Sequence, residues 1–430
     1  MKKLSYVSGA LATLFTLSVI SACNNENTVV SLEQSQIISA QTVKKVRAKK
    51  NLIKITVKNK ADIEKISSEG IDIFGSGDGG SFDTYATDKQ INFLKANNIK
   101  IMKANNSVIE GSSLPAGYHT VDQVLSTVKE FAAKYPNITK LEDIGDSWEK
   151  TKGKSSNDIW ALTVSGNKAQ KAGKKSAVFI SGMHSRELLP VEVNLKFMDF
   201  ILSSYGKNAE ITNYLDTREV IFIPVLNIDG RVAVENGDSM WRKNRHIDND
   251  YDGIDLNRNF DGHWNFEGVS PMTGQLQNLK AKLGEKDSDI YSGPKAFSEP
   301  ETQALNNFLK DRDVTVMMDL HAYGNMILYP PGFTTTPVSL TPVFKQVAKV
   351  LSAKNGYKAG TSIEILYPSC GTSKDWGFDR HNAISFTMEM GDDADGFRPP
   401  FSKVDKTWNL NKEGLTYLVS ITDNPGKVIK

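Results

Sequence analysis

Residues that could bind a metal lie where the apolar segments of the chain end. In "GMHSREL" (182–188), His184 and Glu187 stand three positions apart directly after the apolar segment "AVFISG". Side chains at this spacing in a turn project to one side, so the two could hold one cation. The H-x-x-E pattern also occurs by chance beside a histidine that binds no metal, so a third ligand is needed. Of the six histidines in the chain, His321 at the end of "VMMDLHAYG" is the best placed.

Two histidines and one carboxylate predict a particular kind of metal site. They leave the fourth position of a tetrahedral zinc ion open, which is typical of a hydrolytic site rather than a structural one. We therefore expect one Zn²⁺ per chain, bound by His184, Glu187 and His321, and a hydrolytic reaction.

The elements that would position these side chains alternate along residues 118–424. Amphipathic helical segments such as "TVDQVLSTVKEFAAKYP" alternate with apolar strands such as "EVIFIPVLN", "VTVMMDL" and "AISFTMEM". This alternation favours an α/β sheet covered by helices on both faces. Ligands bind beyond the carboxyl ends of the strands in such sheets. Four candidate residues fall at those ends: His184, Asn227, His321 and Glu389.

A smaller unit precedes this domain at residues 49–104. Its pattern of strands and two helices approximates β-α-β-β-α-β, a ferredoxin-like α+β arrangement, and the second helix opens with a capping box from Thr87 to Gln90. It contains no cluster of catalytic residue types, so we interpret it as a folding aid, inhibitor or spacer. The Gly-, Ser- and Pro-containing segment 105–117 is the predicted linker.

The first 22 residues have the features of an export signal. Lys2 and Lys3 precede an apolar run that is too short to span a membrane, and small residues lead to Cys23. "ISAC" resembles a bacterial lipobox, which predicts a lipid anchor on Cys23 and a polar tether over 23–48. The alternative is an ordinary signal peptide followed by a chance cysteine. An exported, membrane-anchored lipoprotein is expected, at the cell surface or, in a Gram-negative cell, at the outer membrane or in the periplasm. Because Asn24 rather than Asp follows Cys23, an outer-membrane or outward-facing position is favoured.

Overall charge gives no sign of a nucleic-acid binder. The chain has 52 basic and 50 acidic residues, a net charge of +2, and two of the basic residues lie in the leader. With Cys23 used for the anchor, Cys370 is the remaining cysteine of the two in the chain, so no intrachain disulfide is expected.

Six motifs together resemble one enzyme family. "HSRE", "WRKNR" (241–245), "DLNRNF" (255–260), "DLHAYG…LYPPG", "YPSCGTSKDW" and "SFTMEMGD" occur in the order and approximate spacing of zinc metallocarboxypeptidases of the carboxypeptidase A type. The resemblance covers about 114–424 and implies a mixed twisted sheet with helices on both faces. The preceding α+β unit is similar to the prosegment of that family.

The resemblance implies roles for individual residues. His184, Glu187 and His321 would be the zinc ligands, Glu389 the general base and Arg245 the group that polarises the scissile carbonyl. The residues that would bind substrate are Asn257 and Arg258 for the terminal carboxylate, Tyr367 as a clamp, and Arg186 and Arg242 at accessory positions.

Lys374 matches the bottom of the family's pocket for the last side chain of the substrate. In that family, the position is apolar in enzymes that prefer apolar C-termini and acidic in those that prefer basic ones. A lysine there predicts a preference for C-terminal Glu or Asp. The positions that match the wall of that pocket carry a mixture of apolar and hydroxyl side chains: Leu328, Ser362, Leu366, Ser369, Thr372 and Thr387. The alternative is that a flexible Lys374 turns away to water.

An acidic loop raises a second metal hypothesis. Asp248, Asp250 and Asp252, followed by Gly253, resemble the start of a calcium loop, but Asn259 stands where such loops use a bidentate Glu. A solvated acidic turn is the competing interpretation. Cys370 is interpreted as a small buried thiol, since no histidine stands beside it in sequence to activate it.

Three functions remain open at this stage. The first is an exopeptidase that removes C-terminal residues from peptides and proteins. The second is an amidase acting on cell-wall peptides, and the third is a surface peptide-binding protein that retains the fold without turnover.

Overall fold

The structure, a computed structural model, describes residues 49–103, 114–166, 173–248 and 250–429. The predicted signal peptide, Cys23, the tether and positions 105–113 of the predicted linker lie outside the described residues. By its internal contacts, the chain from Lys49 onward forms one compact unit. Within the described ranges, no helix combines the length and the apolar character needed to span a bilayer.

The N-terminal α+β domain contains three strands and two helices. They are β1 (Lys50–Thr56), α1 (Lys60–Ser67), β2 (Ser81–Thr87), α2 (Asp88–Ala96) and β3 (Lys100–Lys103). The strand order is β2-β1-β3, with both pairings antiparallel. The expected capping box at the start of α2 is present, because Thr87 accepts from the backbone of Gln90 and the Gln90 side chain accepts from the backbone of Thr87.

The ferredoxin-like pattern is incomplete at one strand. In the segment "IDIFG" (71–75), Phe74 contributes only an isolated bridge to Asp83. Ile71 and Ile73 are buried in the core of the small domain. Asp72 between them directs its carboxylate to Arg186 and Tyr367 of the larger domain. The segment is therefore held by side-chain contacts rather than by a ladder.

The larger domain follows from Leu114. Its elements are α3 (Val121–Lys134), β4 (Thr139–Asp146), α4 (Trp148–Thr151), β5 (Asp158–Val164), β6 (Lys175–Ser181), α5 (Leu188–Ser204), α6 (Ala209–Thr217), β7 (Arg218–Ile223), α7 (Ile228–Glu235), α8 (Gly274–Leu283), α9 (Pro300–Leu309), β8 (Asp313–His321), β9 (Met326–Tyr329), α10 (Thr341–Asn355), β10 (Lys358–Thr361), α11 (Ser362–Ile365), α12 (Ser373–His381), β11 (Ile384–Glu389) and α13 (Ser402–Ile421). Short 3₁₀ turns occur at Asp78–Gly80, Leu256–Arg258, Trp264–Phe266 and Pro425–Val428.

Eight strands form one mixed sheet in the order β10-β9-β11-β8-β6-β7-β5-β4. The four central strands, β11, β8, β6 and β7, are parallel, whereas β9, β5 and β4 add antiparallel pairings. The carboxyl ends of the parallel strands therefore meet at one edge. This confirms the α/β fold with a mixed sheet.

The sheet separates two hydrophobic cores. Alternate residues of β6 divide between them, with Ala177 and Phe179 on one face and Val178 and Ile180 on the other. Helices α3, α5, α6, α10 and α13 cover the first face, and α9 and α12 cover the second. Because helices bury both faces, the central parallel strands are mostly apolar, and the candidate metal ligands and Glu389 lie at their carboxyl ends.

Candidate active site

The three predicted metal ligands converge at the edge where the parallel strands end. His184 and Glu187 follow β6, with Glu187 immediately before α5, and His321 ends β8. Glu187 bridges the two histidines, with Oε1 at 2.8 Å from His184 Nδ1 and Oε2 at 2.9 Å from His321 Nδ1. One donor atom from each residue lies within 4.8 Å of the others, and the described part of the chain contains no second such group of three.

A carboxylate lies behind each histidine. Asp255 Oδ1 is 3.1 Å from His184 Nε2, and Asp319 Oδ2 is 2.8 Å from His321 Nε2. Each Nε2 can therefore carry the ring proton and donate it to the carboxylate, which leaves the Nδ1 lone pairs facing Glu187.

The electrostatics of this cluster suit a cation. Burial opposes ionisation of His321, but the carboxylates of Asp319 and Glu187 raise its pKa well above the ordinary value. Burial likewise opposes ionisation of Glu187, yet His184 and His321 hold the pKa of its carboxyl below the usual range. The cluster thus stabilises positive charge, and its two imidazoles and one carboxylate form a donor set that suits Zn²⁺.

Glu389 ends the neighbouring strand β11 and is paired in register with His321. Burial raises the pKa of the Glu389 carboxyl to about 8, although the nearby His321 opposes the increase. The side chain still lines the cavity. A carboxyl group whose pKa is raised toward the operating pH can both take up and release a proton, which suits general acid–base catalysis.

The residues predicted to bind substrate surround the same cavity. Asn257, Arg258, Tyr367, Arg186 and Arg242 all line it, together with His184, Glu187 and Glu389. The Leu256–Arg258 turn places Asn257 and Arg258 beside Tyr367, whose hydroxyl accepts from Arg258 Nη2 at 3.3 Å. A guanidinium and an amide at one end of a cavity suit a carboxylate ligand.

Arg245 does not reach this cavity, which corrects the prediction that it polarises the scissile carbonyl. Its guanidinium lies 3.8 Å from Glu149 and 3.6 Å from Asp238 and stacks over Trp241. Arg242 enters the cavity instead, with Nη2 at 2.9 Å from Asp255. Arg242, expected only as an accessory residue, is therefore the arginine of "WRKNR" that lies beside the metal ligands.

The loop path that separates the two arginines depends on buried acidic residues. Asn244 Nδ2 donates to Glu299 at 2.7 Å and to Glu301 at 3.1 Å, and Asn244 Oδ1 accepts from the backbone of Ile254. Burial, together with the charge of Glu299, raises the pKa of the Glu301 carboxyl to about 8. These contacts fix Asn244 in the interior, between Arg242, which lines the cavity, and Arg245, which does not.

Lys374 lies at the cavity and is 2% exposed. Its Nζ is 2.7 Å from Asp375 Oδ2 and 3.3 Å from Thr372 Oγ1. Asp375 is fixed in turn, because it accepts from the backbone of Gly332 and from the Thr372 hydroxyl. Lys374 therefore does not extend to water.

The predicted wall residues line the same cavity: Leu328, Ser362, Leu366, Ser369, Thr372 and Thr387.

An acidic residue of the N-terminal domain enters the cavity. Asp72 Oδ1 accepts from the Tyr367 hydroxyl at 2.7 Å, and Asp72 Oδ2 lies 3.2 Å from Arg186 and 3.5 Å from Arg242. Tyr367 also packs into the hydrophobic core of the small domain. The Asp72 carboxylate thus contacts three of the groups predicted to bind substrate.

The calcium hypothesis has no support in the structure. Asp248 accepts from the backbone of Asp250 and Tyr251, and Asp250 pairs with Lys286. The three aspartates do not form a metal-holding group among the described residues. The arrangement is that of a solvated acidic turn, which was the competing interpretation.

Comparison with known proteins adds to this geometry. The protein-family model of the zinc carboxypeptidases matches residues 124–414, more than half of the chain. The chain belongs to the zinc carboxypeptidase family. It is therefore a zinc-dependent peptidase of the kind that removes C-terminal residues from peptides.

Curated relatives agree with this assignment. Carboxypeptidase O of Bos taurus is 30% identical over 318 residues, which cover 71% of this chain and 78% of the relative. Carboxypeptidase B2 of Bos taurus is 32% identical over 310 residues, which cover 69% of this chain and 68% of the relative. The crystal structure of carboxypeptidase A from Helicoverpa armigera shares the fold, with a TM-score of 0.72, 20% identity and coverage of 89% of this chain and 99% of that one.

Three acidic residues of this carboxypeptidase were not singled out from the sequence: Asp72, Asp255 and Asp319. Asp255 was part of the quoted motif "DLNRNF". Asp319 stands two positions before His321 in a strand, where side chains share a face, so period-two alternation could have identified it. Asp72 had no local signal, since its role depends on packing between two domains.

Cys370 is buried and 1% exposed. Burial raises the pKa of its thiol to about 12, so it remains protonated and unreactive at neutral pH. This agrees with its interpretation as a small buried thiol.

Proposed function

We propose that this zinc carboxypeptidase preferentially removes Glu and Asp from peptide C-termini. The observation that carries the proposal is a buried lysine, Lys374, in the wall of the substrate cavity. A buried cation stabilises an opposite charge more strongly than an exposed one, because the surroundings screen it less.

The partner of Lys374 limits the size of the preference without removing it. An ammonium group has three N–H donors, and Asp375 and Thr372 use two of them. A substrate carboxylate can accept the third. Asp375 already accepts from the backbone of Gly332 and from Thr372, so its charge is shared among several donors. The hydroxyls of Ser362, Ser369 and Thr387 line the same cavity and can donate to a second carboxylate oxygen.

Other residues of the cavity would bind the terminal carboxylate. Arg258 offers a planar fork of donors, Asn257 an amide, and Tyr367 a hydroxyl that can close over the substrate. This pair of anion sites, one for the main-chain carboxylate and one for the side chain, suits a dicarboxylic residue.

Catalysis is assigned to Glu389 and Arg242. When bound by His184, Glu187 and His321, zinc supplies Lewis-acid activation of a water molecule and of the scissile carbonyl. Glu389 takes a proton from the attacking water and passes it to the leaving amine. Arg242 donates to the oxyanion that develops on the carbonyl oxygen, an effect typically worth about 3 kcal/mol.

Residues 49–104 are proposed to act as an inhibitory prosegment. Besides Asp72, Ser76 donates through its backbone and hydroxyl to Asp393, at 2.7 Å in both cases, and Tyr323 donates to Asp83 at 2.7 Å. These contacts hold the small domain over the cavity, so cleavage between Ala104 and Tyr118 would activate the enzyme. N-terminal sequencing of the exported protein tests this, and a protein that is fully active without a cut there contradicts it.

Export and lipid anchoring through Cys23 remain a proposal that rests on the leader sequence. Cys23→Ser should release the protein from the membrane fraction and abolish incorporation of labelled palmitate. Unchanged membrane attachment would refute the anchor.

Specificity is tested with matched peptides that differ only in the last residue. The protein with residues 49–103 removed by cleavage should show a higher kcat/KM for peptides ending in Glu than for those ending in Gln, Leu or Lys. A clear preference for Leu would overturn the acidic specificity. Activity on purified muropeptides with none on linear peptides would instead favour a cell-wall amidase.

A further inference from the structure

A buried aspartate contacts both the candidate metal site and the start of α12, the helix that carries Lys374. Asp319 lies on β8 two positions before His321 and is fully buried. Its Oδ2 accepts from His321 Nε2 at 2.8 Å and from the Ser373 hydroxyl at 2.5 Å. Its Oδ1 is buried without a hydrogen-bond partner. A buried carboxylate with so few donors is costly, which points to a role for it at the two groups that it contacts.

The two carboxylates behind the metal ligands differ in their surroundings. Asp255 pairs with Arg242 at 2.9 Å as well as with His184. No lysine or arginine of the described chain lies within ion-pair distance of Asp319, whose only charge partner there is His321. The negative charge of Asp319 therefore acts on His321 without competition from a permanent cation.

We propose that Asp319 is a positioning residue that strengthens zinc binding through His321. Through Ser373, it also connects His321 to the start of α12, which carries Lys374. A carboxylate that accepts from one ring nitrogen fixes the tautomer of the imidazole. It also orients the other nitrogen and increases its basicity as a ligand. In His321 that other nitrogen is Nδ1, which faces Glu187 at 2.9 Å.

The second contact reaches the specificity segment. Ser373 begins α12 and directly precedes Lys374, and its backbone N–H donates to Asn257 Oδ1 at 2.9 Å. One carboxylate thus holds a metal ligand on β8 and the first turn of the helix that carries Lys374. This part of the inference rests on the proposed function, whereas the zinc part does not.

Zinc affinity of the full chain, measured by competition with a chromogenic chelator, tests the first contact. Asp319→Asn keeps the shape and can still accept from His321 but removes the charge, so zinc should bind about 10- to 100-fold more weakly. Asp313→Asn, at the exposed start of the same strand, is the matched control and should leave the affinity unchanged.

A structural effect is separated from positioning by two further readouts. With Co²⁺ in place of zinc, Asp319→Asn should shift the visible absorption bands, because the donor strength of His321 changes, whereas Asp313→Asn should not. Asp319→Glu, which restores the charge, should recover part of the zinc affinity. If Asp319→Asn does not fold, Asp319→Ser, which keeps an acceptor in a smaller side chain, is measured in the same way.

Ser373→Ala tests the second contact. It should keep zinc affinity within about threefold and raise KM more than it lowers kcat, for peptides with any C-terminal residue that enters the pocket. Folded variants at Asp319 with wild-type zinc affinity and wild-type cobalt spectra would overturn the proposal. That result is distinguishable from failure of the acidic preference, since neither metal measurement uses a peptide.

Discussion

The carboxylate of Asp72 accepts a hydrogen bond from the hydroxyl of Tyr367 at 2.7 Å, across 295 positions of sequence. Asp72 also lies within ion-pair distance of Arg186 and Arg242. An acidic side chain of the N-terminal domain thus occupies the groups that we assign to substrate binding. These contacts support the proposal that residues 49–104 act as an inhibitory prosegment.

Substitution of Asp72 should weaken this latency. A hydrogen bond to a charged group contributes about 1.5–3 kcal/mol, so Asp72→Ala should raise the activity of the uncleaved chain by about 10- to 100-fold. Initial rates on a Glu-terminated peptide measure the effect before and after cleavage. Asp78→Ala, at an exposed site in the same domain, is the control. Equal activity of Asp72→Ala and wild type before cleavage would contradict the assignment.

Glu389→Gln should abolish hydrolysis without loss of metal. Removal of a general base typically costs about 10²–10⁴ in rate, and zinc content should stay near one per chain because none of the three ligands changes. Peptide turnover and metal analysis are measured on the same preparation. Glu413→Gln, at an exposed site on α13, should behave as wild type. Persistent activity of Glu389→Gln would refute the mechanism.

The two arginines of "WRKNR" should differ sharply. Arg242→Lys keeps a charge near Asp255 but loses the donor geometry at the carbonyl, so kcat should fall about 10²–10³-fold. Arg245→Lys, outside the cavity, should change kcat by less than about threefold, since surface ion pairs contribute little. Steady-state kinetics on the cleaved enzyme decide the matter. The reverse order would restore the assignment made from sequence.

Lys374→Met should change specificity and stability together. The preference for Glu over Leu should decrease at least about tenfold, because one charge interaction worth about 1.4 kcal/mol is lost. The Asp375 charge would be left buried without its partner, which typically costs about 3–5 kcal/mol of unfolding free energy. Peptide kinetics and urea unfolding measure the two effects. Lys295→Met, at an exposed site, is the control and should alter neither quantity. An unchanged ratio of kcat/KM for Glu-terminated over Leu-terminated peptides in Lys374→Met would show that Lys374 does not determine specificity.

The unfolding free energy should decrease as the pH rises, because of Glu301. Its folded pKa is raised to about 8, whereas the unfolded value lies near 4.5, so between these pH values the folded state holds a proton that the unfolded state has lost. The unfolding free energy then decreases with rising pH, by up to about 1.4 kcal/mol per unit for one proton. Glu301→Gln should flatten this slope in urea unfolding measured from pH 5 to 8. An unchanged slope would place the titration elsewhere.

The sequence was sufficient to predict the mixed sheet and the convergence of the three candidate metal ligands at its edge. Clearly apolar strands precede His184, Glu187 and His321. These side chains were expected to converge because the carboxyl ends of parallel strands lie at the same edge of a sheet. Glu389 follows from the same rule. Lys374 could be located because its position matches the specificity pocket of the family that the motifs resemble.

Loop paths and contacts between domains were not accessible in this way. Arg242 and Arg245 are chemically identical and three positions apart, and only the interior hydrogen bonds of Asn244 decide which one enters the cavity. Asp72 stands in a segment with strand-like alternation, but its carboxylate meets partners more than 100 positions away, so local pattern favoured a regular strand that the structure lacks.

The cross-strand pairing of Glu389 with His321 limits how this sequence can change in length. Loss or gain of a single residue within β11 would turn the Glu389 side chain to the opposite face of the sheet and put Met388 or Met390 in its place. The same slip in β8 would rotate Asp319 and His321 away together. The connections around the cavity can therefore vary in length, whereas β8 and β11 must keep the same register relative to each other.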